Sequence, residues 1–263
     1  MPVKNTSAVS PIPQRRKLAV PRPRAAALPA LLMGMALAAW APPCLAAPPE
    51  ISPFTSSMAW RAVNLPGGKV PASQLEAVTL DGSKVLRLEA HQSYGTWVHT
   101  LPTWVPEAAS TLQWRWRLDL ALDKSDLRRK DGDDAALKVC LMFDLPLQAV
   151  PFTERAVLRM ARAISGEVLP AATLCYVWDP KLPVGTVLPN AYSRRVRYIV
   201  AEGTGTPLGQ WRSAVRHVHA DFLMAFGDES STVPAVTAIA VGADADNTGG
   251  QSLAYISDLR LLP

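Results

Sequence analysis

Histidine is scarce in this sequence, with four in 263 residues. His217 and His219 form one close pair, while His91 and His99 stand alone in strand-like contexts. Zinc takes about three or four N, S or O ligands, and no third partner is recognisable near the pair, so histidine-based metal ligation is a poor reading. The chain also lacks a G-x-S-x-G elbow and a glycine-rich phosphate loop, which removes two common signatures of hydrolysis and nucleotide binding. Cysteine is equally sparse: Cys140 and Cys175 are the two after residue 46, and neither has a recognisable base beside it in sequence. Two buried thiols are one reading, and a disulfide is the other if their strands are neighbours in an oxidising compartment.

No acidic residue occurs before Glu50, whereas Lys4, Arg15, Arg16, Lys17, Arg22 and Arg24 all do. An apolar run from Ala25 to Trp40 follows, interrupted by Pro29 and short for a membrane span. Cys44-Leu45-Ala46 then offers a small-x-small cleavage site before Ala47. This three-part pattern predicts a secretory signal peptide over residues 1–46 and a periplasmic or secreted mature protein with no membrane span. Arg15-Arg16 followed by Leu18 weakly resembles a twin-arginine signal, and Pro42-Pro43 spoils a lipobox at Cys44. The formal charge of +5 belongs to the leader. Without its six basic residues, 21 basic residues face 22 acidic ones. No basic patch is left to argue for nucleic-acid binding.

The mature chain suits one domain: a flexible lead-in over residues 47–57, then a single β-sandwich over 58–263. Ser110–Leu122 reads as the clearest strand, with Leu112, Trp114, Trp116, Leu118, Leu120 and Leu122 on one face. Gln113, Arg115, Arg117 and Asp119 occupy the other face, where two arginines in a strand centre must be paired or solvated. Asp131–Asp144 runs from a turn into a second strand, with Asp133 and Asp134 at its mouth and Lys138 on its polar face. Further strands are expected at 58–63, 74–79, 84–90, 95–101 (ended by Pro102), 174–178, 192–201, 235–243 and 252–262. Asp81-Gly82 marks a hairpin between the second and third of these. Thr153–Ser165 predicts a helix with Thr153 as N-cap and Gly166 as terminal glycine. Val157, Leu158, Ala161 and Ile164 form its inner side, and Arg155, Arg159 and Arg162 a solvated stripe. A shorter helix is expected at 217–226. Short strands with regular turn signals predict a mainly β protein, an antiparallel β-sandwich of jelly-roll type with one or two helices in its connections.

Asp244-Ala245-Asp246-Asn247-Thr248-Gly249 repeats the first half of a calcium loop, although Tyr255 stands where an EF-hand needs its bidentate glutamate. A structural Ca2+ on Asp244, Asp246, Thr248 and Asp258 is therefore one expectation, and an Asx-rich turn the other. No other cofactor is required. Asp133 and Asp134, adjacent on alternating faces, cannot act alone as the two separated carboxyls of a glycosidase.

Several segments together resemble a bacterial exported family known as domain of unknown function 3047. They are Leu112-Gln113-Trp114-Arg115-Trp116, Gly132-Asp133-Asp134, Leu174-Cys175-Tyr176-Val177-Trp178, Phe226-Gly227 and Asp244 to Gly249. Where that family's pattern usually has arginine after the Asp-Asp pair, this chain has Lys138, a point charge in place of a bidentate fork. The resemblance implies an exported single domain, and the family has no assigned activity. The layout is also similar to carbohydrate-binding jelly rolls.

The expectation is thus a non-catalytic binding domain for a cell-envelope polysaccharide or similar polar ligand. Its site would use Arg115, Arg117, Asp133, Asp134, Lys138 and Arg197, with Trp178 or Tyr176 for stacking. The alternatives are a carboxylate-dependent hydrolase of envelope polysaccharide and an envelope assembly protein. The latter would show as a broad exposed apolar patch.

Overall fold

A computed structural model describes residues 47–165 and 169–263. The expected signal peptide, its cleavage site and Gly166 lie outside the described residues. Twelve strands are described: β1 (Trp60–Val63), β2 (Gln74–Leu80), β3 (Ser83–His91), β4 (Tyr94–Trp104), β5 (Thr111–Leu120), β6 (Lys138–Phe143), β7 (Ala172–Trp178), β8 (Val187–Pro189), β9 (Val196–Glu202), β10 (Arg212–His217), β11 (Val236–Asp244) and β12 (Gln251–Leu262). Two α-helices, α1 (Phe152–Ser165) and α2 (Val218–Phe226), lie in the connections.

The strands form an antiparallel β-sandwich, as the turn spacing predicts. One sheet has seven strands in the order β1-β4-β11-β6-β7-β9-β8, the other five in the order β10-β5-β12-β3-β2. The exception to antiparallel pairing is β7 beside β9, which run parallel. Parallel neighbours need a crossover, and residues 179–195 supply it.

Alternation builds the core. Trp114 and Trp116 of β5 point inward and meet Tyr176 and Trp178 of β7 at centroid distances of 5.2 and 5.7 Å. Trp178 is therefore a core residue, and so is Tyr176, whose hydroxyl donates to Asp221 at 2.9 Å. Tyr176 is fully buried, and Trp178 lines only a small hollow of about 160 Å³ with Leu118, Leu122 and Pro180, apart from the cavity described below. Every residue of β7 is buried, because its outer face is covered too. There Val98, Cys140, Cys175, Val177, Tyr198 and Ala240 belong to a second, smaller apolar cluster. Cys140 and Cys175 are register partners on β6 and β7, 4.0 Å apart at Cα, and they form a disulfide.

The β2–β3 hairpin turns through Asp81 and Gly82, both with positive φ, as that pair of residues predicts. Pro102 does not end β4. It sits where β11 shifts register between Val236 and Ala238, and a bulge needs no ladder donor from its partner. Two strands escape the sequence pattern: β8 is three residues ending in proline, and β10 is a polar edge strand. The lead-in packs against the sandwich. Trp60 Nε1 donates to the Ser52 carbonyl, and Phe54 lies 4.9 Å from the Trp60 ring.

Helix α1 follows the expected faces in part: Leu158 and Ala161 turn inward and Arg159 is exposed. Among its described side chains Leu158 is the buried one, while Val157 and Ile164 are exposed. Arg155 and Arg162 fold back instead onto the carbonyls of Val150 and Leu169. Those carbonyls hold two of the three guanidinium groups of the expected stripe against the protein. None of the described helices is long and apolar enough to cross a membrane.

Candidate functional site

Two loops meet at one end of the seven-stranded sheet. The first leaves a single 3-10 turn at Lys130–Gly132 and carries Asp133 and Asp134. Gly132 allows a close approach there, since a Cβ would stand 3.0 Å from the Asp126 backbone and the neighbour would have to give by a few tenths of an ångström. The second loop follows β11 from Asp244 to Gly250.

Asp134 ties them together. Its carboxylate accepts the backbone N–H groups of Thr248 at 2.7 Å and Asn247 at 3.1 Å, and the Asn247 side-chain amide at 3.2 Å. Asp244 reaches back the other way. Its Oδ1 accepts the Ala135 N–H at 2.7 Å, and its Oδ2 takes the Lys138 ammonium at 2.8 Å. Lys138 also lies 4.7 Å from the centroid of the Tyr94 ring, a cation–π contact. Burial works against both charges of this pair and pushes the Asp244 carboxyl up, but the partner at 2.8 Å holds the Lys138 ammonium above its ordinary pKa.

Asp133 behaves differently. Its carboxylate accepts from Asn190 Nδ2 and, at 3.2 Å, from the Tyr198 hydroxyl. Burial, and then the charge of Asp244, push its pKa up to about 6. Asp246 is also raised, first by burial and then by Asp134 and Asp244. Its Oδ1 is buried with no hydrogen-bond partner, and so is Thr248 Oγ1.

These groups form the polar end of a cavity of about 540 Å³ on the outer face of the seven-stranded sheet. The floor is apolar, built from Val98, Met142, Ala240, Val196 and the Cys140–Cys175 disulfide. The crossover between β7 and β9 forms one wall. Asn190 Oδ1 accepts the N–H groups of Tyr192 and Ser193, and the Tyr192 hydroxyl bonds Asn247 Oδ1 at 2.7 Å.

The structure brings Asp133, Asp134, Lys138, Asp244, Asp246 and Thr248 together, and it separates the other expected residues. Arg115 and Arg117 lie on β5, in the other sheet. Arg115 stacks on Trp211 at 5.1 Å and pairs with Asp258 at 3.7 Å. Arg117 pairs with Asp119 at 2.6 Å and Asp81 at 3.6 Å. Arg197, next to Tyr198 on β9, points to the opposite side of the sheet, onto the Phe226 ring, Asp228 and Glu229. Alternation along a strand tells which face a residue takes, but not which sheet the strand joins.

The loop does not fit the calcium ion that its pattern suggests. Ligand atoms of Asp134, Asp244 and Asp246 do lie within 4.8 Å of one another. Calcium, however, takes about six to eight oxygens. Both carboxylate oxygens of Asp134 and of Asp244 already accept protein N–H groups. Asp258 is remote, in a separate hollow of about 270 Å³ beside Phe54 and Ser257. The Lys138 ammonium already takes Asp244 Oδ2.

Tyr94, Asn190, Tyr192, Tyr198 and the disulfide are cavity residues that the sequence reading missed. Asn190 follows Pro189 in a turn-rich stretch, which is a signal for an Asx turn and not for a ligand site.

A family model described as "Protein of unknown function (DUF3047)" matches residues 58–260. No curated protein matches the sequence. Among solved structures, a family 11 carbohydrate-binding module from Clostridium thermocellum, in complex with a β-1,3-1,4-mixed-linked tetrasaccharide, is similar at 8% identity and a TM-score of 0.39. The match covers 82% of this chain and 95% of that one. The cellulose-induced protein Cip1 is similar at 13% identity and a TM-score of 0.39, over 81% of this chain and 96% of its own. SGBP-B, from a xyloglucan utilisation locus of Bacteroides uniformis, is similar at 10% identity and a TM-score of 0.32, over 78% and 45%.

Proposed function

This chain belongs to the DUF3047 family, and we propose that it is an exported, non-catalytic binding domain that holds a saccharide of the cell envelope in the cleft on its seven-stranded sheet. One observation carries the reading: a preformed cavity of about 540 Å³ joins an apolar floor to a single polar end. Binding pockets of this size have mostly apolar walls and a few convergent polar groups. A sugar ring offers the matching pair of surfaces, with C–H faces for the floor and hydroxyls for Asp133, Asn190 and Asp246. Export is supported by the paired cysteines, since disulfides persist in oxidising compartments.

The test is a glycan array followed by calorimetry, with purified peptidoglycan among the ligands. Asp133→Ala and Tyr192→Ala each weaken binding about tenfold or more, the scale of a lost hydrogen bond to a charged or buried group, with the melt still cooperative. Arg115→Ala, on the other sheet, leaves binding unchanged. Retention of full affinity by both cleft variants overturns this placement.

A hydrolase remains the second reading, favoured by one fact: Asp133 has its pKa raised to about 6 and shares the cavity with a second carboxylate, Asp246. Release of soluble sugar by the wild type, abolished in Asp133→Asn, would replace the binding reading with this one.

A further inference from the structure

The cleft does not stop at the disulfide. A second cavity, of about 560 Å³, adjoins the first, and Leu169, Pro170, Thr173, Tyr192 and Val196 line both. Its far wall is α1, through Val157, Leu158 and Ala161. The charged residues on its remaining side are paired with one another. Arg195 meets Glu154 at 2.7 Å, and Arg194 meets Glu154 at 3.3 Å and Asp228 at 3.1 Å. Hydrogen-bonding chemistry therefore lies at one end of a continuous trough, and aliphatic chemistry at the other.

The α1 end opens onto more apolar surface. Phe152, Val157, Met160 and Ile164 are 78%, 61%, 59% and 74% exposed, an apolar strip along one helix. A purely polar oligosaccharide filling the trough would place hydroxyls against Leu158, Ala161 and Leu169 with no partners, which is unfavourable. The polar end sets a second limit. Asp244 occupies Lys138, and no described cation pairs with Asp133 or Asp246. That end offers acceptors to hydroxyl or ammonium donors and repels phosphate and carboxylate.

We propose that the ligand is an amphiphile of the glycolipid class, with an uncharged or amino sugar at Asp133 and an aliphatic chain running over the disulfide to α1. This rests on the saccharide reading above and adds the chain. The experiment is calorimetry on the protein with hexyl, octyl and decyl glucosides and maltosides below their micelle concentrations. Free glucose and maltose report the head alone, and decyl sulfate reports the chain on an anionic head.

Affinity is expected to rise with chain length by up to about fourfold per buried methylene. Val157→Glu/Ala161→Glu removes that gain and leaves binding of the free sugars as it was. Met160→Glu, outside the cavity lining, leaves both unchanged and controls for mere surface adhesion. Equal binding of free and alkylated sugars overturns the chain and leaves the saccharide reading standing. So does a chain-length gain that survives Val157→Glu/Ala161→Glu. Decyl sulfate binding as tightly as decyl maltoside overturns the saccharide head, and binding of none of these probes overturns both.

Discussion

Asp133 and Asp244 are both buried carboxyls on one cavity wall, yet their neighbours give them different tasks. Asp244 faces an ammonium at 2.8 Å and a backbone N–H, so its charge is held inside the protein. Asp133 faces only neutral donors, Asn190 and Tyr198, and titrates at about 6. The sign of its effect on stability follows from linkage. Its folded pKa lies above the ordinary 3.8, so between about pH 4 and 6 the folded protein binds more protons than the unfolded one. Its stabilising contribution is present below pH 4 and is lost as the pH rises through about 6. Ionised, the same group is the better acceptor for sugar hydroxyls. Ligand affinity should therefore rise across that window while intrinsic stability falls. Melting temperature and calorimetric affinity measured from pH 4 to 8 check both trends, and Asp133→Asn should flatten both. The sequence singled out Asp133 and Asp134 as turn-forming acids at a strand mouth, and Asp244 and Asp246 as a separate loop. That the two loops meet was not legible, because the pairing of β11 with β6 brings them together. That Arg115 and Arg117 sit elsewhere was not, because long-range strand pairing decides it.

At the scale of elements, the cleft walls are clamped from beneath. Arg195 and Arg197 straddle the start of β9, and both reach Glu229 beyond α2, while Arg195 also reaches Glu154 on α1. Both arginines and Glu229 are buried. Such a network is not evidence of net stabilisation, but removing its anionic centre leaves Arg195 with Glu154 and Arg197 with Asp228 as their remaining carboxylate partners, each half-paired inside the protein. Glu229→Ala should cost less than the about 3–5 kcal/mol of a fully stranded buried charge. Denaturant titration of Glu229→Ala against Glu229→Ala/Glu154→Ala, with a larger loss in the double variant, checks that Glu154 is the reserve partner. The disulfide clamps the floor. Cys140→Ala/Cys175→Ala opens a loop of sequence separation 35 and should lower stability by about 2–4 kcal/mol. A rise in the unfolding rate alone, with unchanged equilibrium stability, would contradict that estimate. The order and type of most strands were readable from period-2 patterning. Helix α1 was legible as an element, but the exposure of Val157 and Ile164 was not, because periodicity marks an apolar side without telling whether anything covers it.

Over the whole molecule, the two sheets present unlike outer surfaces. The five-stranded sheet is laced with exposed or half-buried ion pairs, Arg87 with Glu76 and Glu89 and Arg117 with Asp119 among them. The seven-stranded sheet carries the trough. Composition and turn spacing pointed to two packed sheets, but not to which outer face would hold the cavity. That depends on the crossover from β7 to β9, whose residues 179–195 lack periodicity and give no sequence signal beyond turn residues.

Lys138 has a consequence of its own. The polar end of the trough carries a built-in counter-ion, tethered to β6 by a hydrocarbon stem. Dilution cannot wash it out, and a chelator cannot strip it. At Asp244 the compensating charge thus comes from the chain itself and not from the medium.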